Sequence, residues 1–283
     1  MPELPEVETI RLQLQKVLVG EKIAATYILS DRSFQGDAKH LEGTTIKGVR
    51  RFGKMIAIDF ENGYALVVHL KMTGQLLFQI TDNSKQKTDL PNKHTRVIIQ
   101  FHSGGKLFFN DQRKFGWMRI VSINKEQGTK NGLNTLDNLL ENLGPDPLHE
   151  LNAEKLYKIL QTSKRPVKLV LMDQRKISGV GNIYANDALY LSGIHPRTFG
   201  NQLSHKQGKN LYRNLVKVLK SGIKWKGASR QHFRDIYGQK GQVQDHFLVY
   251  ERTGQVCPQG HKHIQKFQLG GRGTYFCPQC QIR

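Results

Sequence analysis

The stretch KMIAIDFENGYALVVHL, Lys54–Leu70, decides the fold of the N-terminal half. Two short apolar runs flank Asn62-Gly63, a dipeptide that tolerates the left-handed backbone of a tight hairpin turn. Outward from it the pattern returns in KIAATYIL (22–29), TRVIIQF (95–101), KLFFN (106–110) and WMRIVSI (117–123), with another turn signal at Gly104-Gly105. Runs this short and this regularly punctuated read as strands, so residues from Lys22 to about Ile123 are predicted to form a β sandwich or barrel. Ahead of them Val7, Ile10, Leu14, Val17 and Leu18 recur at helical spacing, acids crowd the first turn and Gly20 offers a stop. That predicts one leading amphipathic helix. Thr81 to His94 is polar enough to read as a mobile loop.

Asn124 to Pro147, rich in Asn, Gly and Lys, reads as a connection that closes on Gly-Pro-Asp-Pro. Helical patterns follow at Ala153, Leu156, Tyr157 and Leu160, at Leu169–Met172, at Ile183–Leu191, and at Leu211, Leu215, Val218 and Leu219. Ser204 with Gln207 forms a capping box for the last of these. From Gly227 the chain turns Gly-rich and polar and ends in a Cys/His segment. The expected class is α+β and multidomain: a β-sandwich domain with its leading helix over residues 1–130, a linker over 131–148, a helical domain over 149–240 and a small metal module over 241–283.

Composition narrows the partners. The 283 residues carry 43 Lys and Arg against 23 Asp and Glu, a net charge of +20, and 38% are hydrophobic. An ordinary globular protein with that excess creates a potential that favours a polyanion such as nucleic acid. The three cysteines rule out a disulfide framework and suggest a metal. No apolar run approaches the roughly 18 residues of a membrane span, and MPELPEVETI is acidic where a signal peptide would be basic. The expected compartment is therefore the reducing cytoplasm.

Four segments carry chemistry. CPQGHKHIQKFQLGGRGTYFCPQC supplies Cys257, Cys277 and Cys280, with His261 and His263 close behind the first. Three thiolates and one imidazole would close a tetrahedral structural zinc site, and a free C-x-x-C pair in a frayed tail is the alternative. Between the ligand pairs, Gly270-Gly271-Arg272-Gly273 would lift Arg272 on a hairpin tip. In ISGVGNIYAND two glycines precede Asn182 at a helix start, where exposed N–H groups attract phosphate, although a plain packing turn reads equally well. Lys164, Arg165 and Lys168 lie just upstream. At the N-terminus, removal of Met1 would free Pro2, a secondary amine beside Glu3. An α-amino group titrates near 8, so part of it is unprotonated at neutral pH and able to attack a sugar's anomeric carbon. Alone, PELPE also reads as a helix start. HLKMTG (69–74) and NDQRKFG (110–116) put Met72, Arg113 and Phe115 on neighbouring turns, a set that could wedge a base stack or simply pack in the core. Lys54 stands at the hairpin RRFGKM.

Taken together, from PELPEVET to CPQCQ, these motifs resemble the formamidopyrimidine-DNA glycosylases, in the superfamily shared with endonuclease VIII. The resemblance covers essentially the whole chain. It implies that Pro2 is the nucleophile forming a Schiff base, that Glu3 handles the proton at the sugar oxygen, and that Lys54 contacts DNA at the lesion and assists elimination. It further implies that Met72, Arg113 and Phe115 fill the gap left by an extruded nucleotide, and that His94, Lys164, Lys168 and Asn182 grip phosphates. The helical region resembles the family's helix-two-turns-helix DNA-binding domain, with a loosely matching lesion-capping loop at Gly227–Gln242. Arg272 matches the zinc-finger arginine linked to the second elimination.

Three positions depart from the family pattern. Gly260 stands where cysteine is usual, so the fourth ligand beside Cys257, Cys277 and Cys280 becomes His261 or, second, His263. Lys114 replaces an arginine and loses its bidentate reach. Asp187 replaces a glutamate.

The function implied is a bifunctional DNA glycosylase and abasic-site lyase. It would excise oxidised purines (8-oxoguanine, formamidopyrimidines) from duplex DNA by β,δ-elimination, after extruding the base into a pocket between the domains. The expected protein is a bacterial, nucleoid-associated monomer holding one structural zinc. The alternatives are an endonuclease VIII-like enzyme for oxidised pyrimidines and a non-catalytic nucleic-acid-binding protein, the latter if Met1 blocks the Pro2 nitrogen.

Overall fold

A computed structural model describes residues 1–80, 89–124, 135–229 and 232–282, and its chain contacts divide it into two units. The first unit comprises Met1–Asn142 and Lys226–Gln242. It opens with helix α1 (Leu4–Leu18), whose Val7, Ile10, Leu14 and Leu18 are all buried, as their spacing requires. Among the described residues nine strands follow: β1 (Ile23–Ile28), β2 (Phe34–Gln35), β3 (Ile46–Phe52), β4 (Met55–Phe60), β5 (Tyr64–His69), β6 (Gly74–Gln79), β7 (Thr95–Phe101), β8 (Lys106–Asp111) and β9 (Trp117–Ser122). They form a four-stranded sheet in the order β1-β7-β8-β6 and a five-stranded sheet in the order β2-β9-β5-β4-β3.

One apolar cluster joins both sheets and the helix. Ile56, Ile58, Phe60, Leu66 and Val68 meet Leu76, Phe78, Val97, Ile99, Leu107 and Phe109, with Ile10 and Leu14 of α1 in the same core. This is the expected sandwich. Both strands of the decisive hairpin are buried except at His69, which is why β4 and β5 read as nearly continuous apolar runs. The periodicity passes over β3 and β6. IKGVRRF carries a glycine and two arginines along the edge of its sheet, and GQLLFQ is too short and polar-ended to stand out. Of the loop expected at Thr81–His94, residues 81–88 lie outside the described residues, as do 131–134 of the expected linker. The rest of that linker holds a short helix, α2 (Leu136–Leu140), capped where Thr135 Oγ1 accepts from the Asn138 N–H.

The second unit comprises Leu143–Trp225 and Val243–Arg283. Its helices are α3 (Ala153–Gln161), α4 (Val167–Met172), α5 (Asn182–Leu191) and α6 (His205–Lys224), and its hairpin pairs β10 (Gln265–Leu269) with β11 (Arg272–Phe276). Helix α6 packs on α3 and α5, and its Ser204–Gln207 capping box is formed. Tyr190 of α5 shares a small core with Val249, Cys257, Ile264, Tyr275 and Cys277, which places the metal module on the helices.

The structure differs from the expected boundaries at Lys226–Gln242. The sequence reading places residues up to 240 in the helical domain and Gly241 and Gln242 in the metal module, whereas the chain contacts group the whole segment with the first unit. The reason is a set of hydrogen bonds that no local pattern encodes. The Phe78 N–H donates to Ile236 O at 2.8 Å, Gln13 Nε2 donates to Asp235 at 2.9 Å, and the Ala228 N–H donates to Glu6 at 2.7 Å. Among the described residues no helix is long and apolar enough to cross a membrane.

Candidate active site and metal centre

The chain start is held in place. Pro2 and Glu3 are buried, and Glu3 caps α1 in an extended conformation. Glu6, one turn in, is almost wholly buried. Its carboxylate accepts from the Glu3 N–H at 2.8 Å and from the Ala228 N–H at 2.7 Å, so one side chain ties both the N-terminus and the 226–242 segment to the helix start. Sequence reasoning missed Glu6, although E-x-x-E at a helix start is a capping-box pattern.

Lys54 follows Gly53 in the turn between β3 and β4 and is buried. The buried Arg51 fastens that turn to α1, with Nε 2.8 Å from Glu8 Oε2 and Nη1 3.2 Å from Gly53 O. On the next strand the His69 pKa is pushed down to about 3, first by burial and then by the charges of Lys71 and Lys54. His69 is therefore a neutral ring at physiological pH, and its Nδ1 accepts from the Lys71 N–H at 3.0 Å.

Strand register gathers the remaining elements at one end of the sandwich. Met55 pairs with His69 and His69 with Trp117; in the other sheet Gly74 pairs with Asp111 and Thr95 with Asn110. The 69–74 turn, the 110–116 turn and His94 are thereby neighbours. Asp111, fully buried, binds the two turns together. Its carboxylate accepts from Thr73 Oγ1, from the Arg113 N–H at 3.2 Å and from the Gly116 N–H at 2.7 Å, while its N–H donates to His94 O at 2.9 Å. Its motif, NDQRKFG, stands out in the sequence, but the role of its carboxylate does not, because Thr73 is 38 residues away.

Lys71 and Lys114 sit at the turn tips with φ of 49° and 55°, a left-handed backbone that non-glycine residues adopt mainly where surroundings enforce it. Arg113 lies over the Phe115 ring at 4.7 Å, and that ring is 47% exposed. Met72 is half-buried. A large exposed aromatic paired with a cation is a surface suited to stacking on bases. A cavity of about 440 Å³ opens beside it, walled by Met72, Phe115 and Trp117 with Arg119 over the Trp117 ring at 4.3 Å.

In the second unit the hairpin tip carries Arg272, exposed, and Lys164 is also exposed. Asn182 begins α5 and its Nδ2 donates to Gly273 O at 3.1 Å; Asn186 Oδ1 accepts from the Tyr275 N–H at 2.9 Å. Lys168 corrects the sequence reading. It is fully buried, and its ammonium donates to Gly273 O at 3.0 Å and Thr274 Oγ1 at 2.7 Å. It supports the arginine hairpin from below and presents no charge to a phosphate. Asp187, also buried, accepts from the Leu248, Val249 and Tyr250 N–H groups at 3.0–3.2 Å. Burial pushes its pKa up to about 6 against the opposing pull of those three donors and the Arg252 charge.

The three thiols of Cys257, Cys277 and Cys280 lie within 4.8 Å of one another. Tetrahedral thiolates on zinc at about 2.3 Å are separated by about 3.8 Å. The observed 3.7 Å between the Cys257 and Cys280 sulfurs fits that edge. Gly260 adopts φ +73°, its N–H returns to Cys257 O at 2.9 Å, and this turn brings His261 Nδ1 to 3.1 Å from Cys280 Sγ. Gln281, unnoticed in the sequence, accepts from the Cys277 N–H and donates to Ile194 O, both at 2.9 Å.

Family models match in chain order: the formamidopyrimidine-DNA glycosylase N-terminal domain at residues 1–118, its H2TH domain at 143–234, and the zinc finger found in FPG and IleRS at 254–282.

This chain belongs to the formamidopyrimidine-DNA glycosylase family.

Proteins of that name from Chloroflexus aurantiacus and Acaryochloris marina are 36% and 37% identical, over 100% and 99% of this chain and 98% and 99% of theirs. Solved complexes of Lactococcus lactis Fpg with DNA containing an abasic site or an N7-benzyl-Fapy-dG align with TM-scores of 0.84 and 0.85 at 31% and 32% identity. They cover 99% and 100% of this chain and all of the solved chains. The β sandwich, the H2TH helices and the zinc-finger hairpin are thus the family's architecture, and the C-terminal module is a structural zinc site.

Proposed function

We propose that the chain is a DNA glycosylase and abasic-site lyase for oxidised purines in duplex DNA, and that Pro2, freed of Met1, is its nucleophile. The observation that carries the reading is the buried Pro2-Glu3 start of α1, fastened by Glu6 in the unit that also carries Lys54, Met72, Arg113 and Phe115. The Pro2 nitrogen forms a bond to the anomeric carbon as the bond to the base breaks. Glu3 delivers the proton that the opening sugar oxygen takes up. The resulting iminium withdraws electrons from the adjacent carbon, whose proton is lost as the 3′ phosphate leaves, and a second elimination releases the 5′ phosphate. Lys54 faces the lesion phosphate, and Arg272 assists the second elimination. Met72, Arg113 and Phe115 occupy the space of the extruded nucleotide and offset part of its unstacking. His94, Lys164 and Asn182 hold phosphates.

The zinc, when bound, supplies rigidity to the hairpin that presents Arg272. Cys257, Cys277, Cys280 and His261 hold it, and the His261 approach to Cys280 supports that choice over His263. Relatives named formamidopyrimidine-DNA glycosylase at full length favour oxidised purines over an endonuclease VIII-like preference for pyrimidines. On the same reading the protein works as a monomer in the cytoplasm, at the nucleoid, which action on DNA supports.

Borohydride reduction of protein mixed with an oxidised-guanine or abasic-site duplex tests the reading, since only an iminium is reducible to a stable adduct. The expected result is a covalent complex through Pro2, retained in part by Pro2→Gly, with Glu3→Gln losing base excision more than abasic-site cleavage. No trapped species from protein lacking Met1 would overturn it.

A further inference from the structure

Helix α6 carries a straight row of charge that the site above does not use. Its exposed basic residues are Lys206, Lys209, Arg213, Lys217, Lys220 and Lys224, and no acid occurs anywhere along HKQGKNLYRNLVKVLKSGIK. At 100° per residue the six fall within about 80° of arc, in a row about 27 Å long. The buried face, Leu211, Leu215, Val218 and Leu219, lies on the opposite side and packs where α6 meets α3 and α5. The row therefore points away from the helix whose first residue is Asn182. Successive members stand three or four residues apart, so each repels the next, and Lys206 in the first turn also opposes the helix dipole. Among the described residues the one ion pair in the row is Lys209 with Glu154, at 3.6 Å, an acid that His205 shares at 2.9 Å, and Lys224 lies over the Trp225 ring at 5.6 Å. A helix optimised only for stability would interleave acids here.

We infer that this face of α6 is a second binding site for duplex DNA, taking the phosphate backbone of a DNA segment other than the one being repaired. The inference rests on the reading of the chain as a DNA enzyme. A duplex is a linear polyanion with one charge per about 1.7 Å of axis, which a rigid cationic row matches without any shape-specific pocket. An anionic membrane fits less well, because the apolar side of α6 is buried in its own unit and leaves nothing to insert. The consequence is direct transfer: a second duplex is captured before the first is released, which shortens the search among undamaged DNA.

The experiment follows release of a labelled undamaged 20-base-pair duplex from the protein, at low salt, as unlabelled duplex is added in increasing excess. Direct transfer makes the release rate climb in proportion to competitor, whereas simple dissociation leaves it constant. The wild-type rate should climb. In Arg213→Gln/Lys217→Gln/Lys220→Gln, which keeps helix propensity and is checked by circular dichroism, the slope should fall about tenfold. Single-turnover excision without competitor should stay within about twofold. A wild-type rate independent of competitor, a triple variant with unchanged slope, or polyglutamate accelerating release as well as duplex does, would each overturn the inference. Because release is measured on undamaged DNA, absence of excision would count against the glycosylase reading alone.

Discussion

Lys168 and Asp187 show how burial reassigns a charged residue. Lys168→Met keeps length and apolar stem but leaves Gly273 O and Thr274 Oγ1 without the ammonium donor. The expected cost is about 1–3 kcal/mol of stability, seen as a lower denaturant midpoint, with the salt dependence of binding to undamaged DNA unchanged. A flattened salt dependence would return Lys168 to the phosphate-gripping set. For Asp187 the folded pKa, about 6, lies above the ordinary 3.8, so the folded protein binds the proton more tightly than the unfolded chain. Its stabilising contribution is fully present below about pH 4 and is lost as pH rises through 6, a change of roughly 3 kcal/mol. Urea unfolding at half-unit pH steps should show this fall in the wild type, and Asp187→Asn should remove it. An unaltered slope in the variant would assign the pH dependence to other groups.

At the scale of elements, the hairpin carrying Arg272 is a short two-stranded ribbon, and such ribbons are marginal alone. Two supports act on it: the helices, through Lys168, Asn182 and Asn186, and the zinc knuckles at its base. One zinc per chain is expected by elemental analysis. His261→Ala should lose the metal to a chelator far more readily than His263→Ala, because Gly260 turns His261 toward Cys280. Metal retained in His261→Ala and lost in His263→Ala would reverse the ligand choice. The 69–74 and 110–116 turns obey a similar logic. They are separate in sequence, yet one buried carboxylate, Asp111, makes them a single element.

Over the whole molecule, the net charge of +20 predicts binding that weakens steeply with salt. With Lys168 withdrawn, Lys54, Lys164 and Arg272 remain as the proposed lesion-side cations, and each should add about −0.9 to the slope of log affinity against log salt. Lys164→Ala should flatten that slope by about one contact and weaken lesion and undamaged duplex alike, while Met72→Ala should leave it in place and slow excision. Competition binding at several salt concentrations checks both; a Lys164 effect confined to lesion DNA would contradict the assignment.

The sandwich, helices α1 and α3 to α6, the zinc module and the family were legible in the sequence because each rests on local regularity: apolar periodicity, turn dipeptides, ligand spacing, and motifs in a given order. Tertiary structure alone decided that Lys168 is inside, that Glu6 reaches Ala228, that Asp111 joins the 69–74 and 110–116 turns and that Lys226–Gln242 packs with the first unit. Each of these depends on a partner remote in the chain, 105 residues away for Lys168 and 222 for Glu6. A lone polar residue in an apolar run looks the same whether it faces solvent or a buried carbonyl, and only the packing of distant elements settles which.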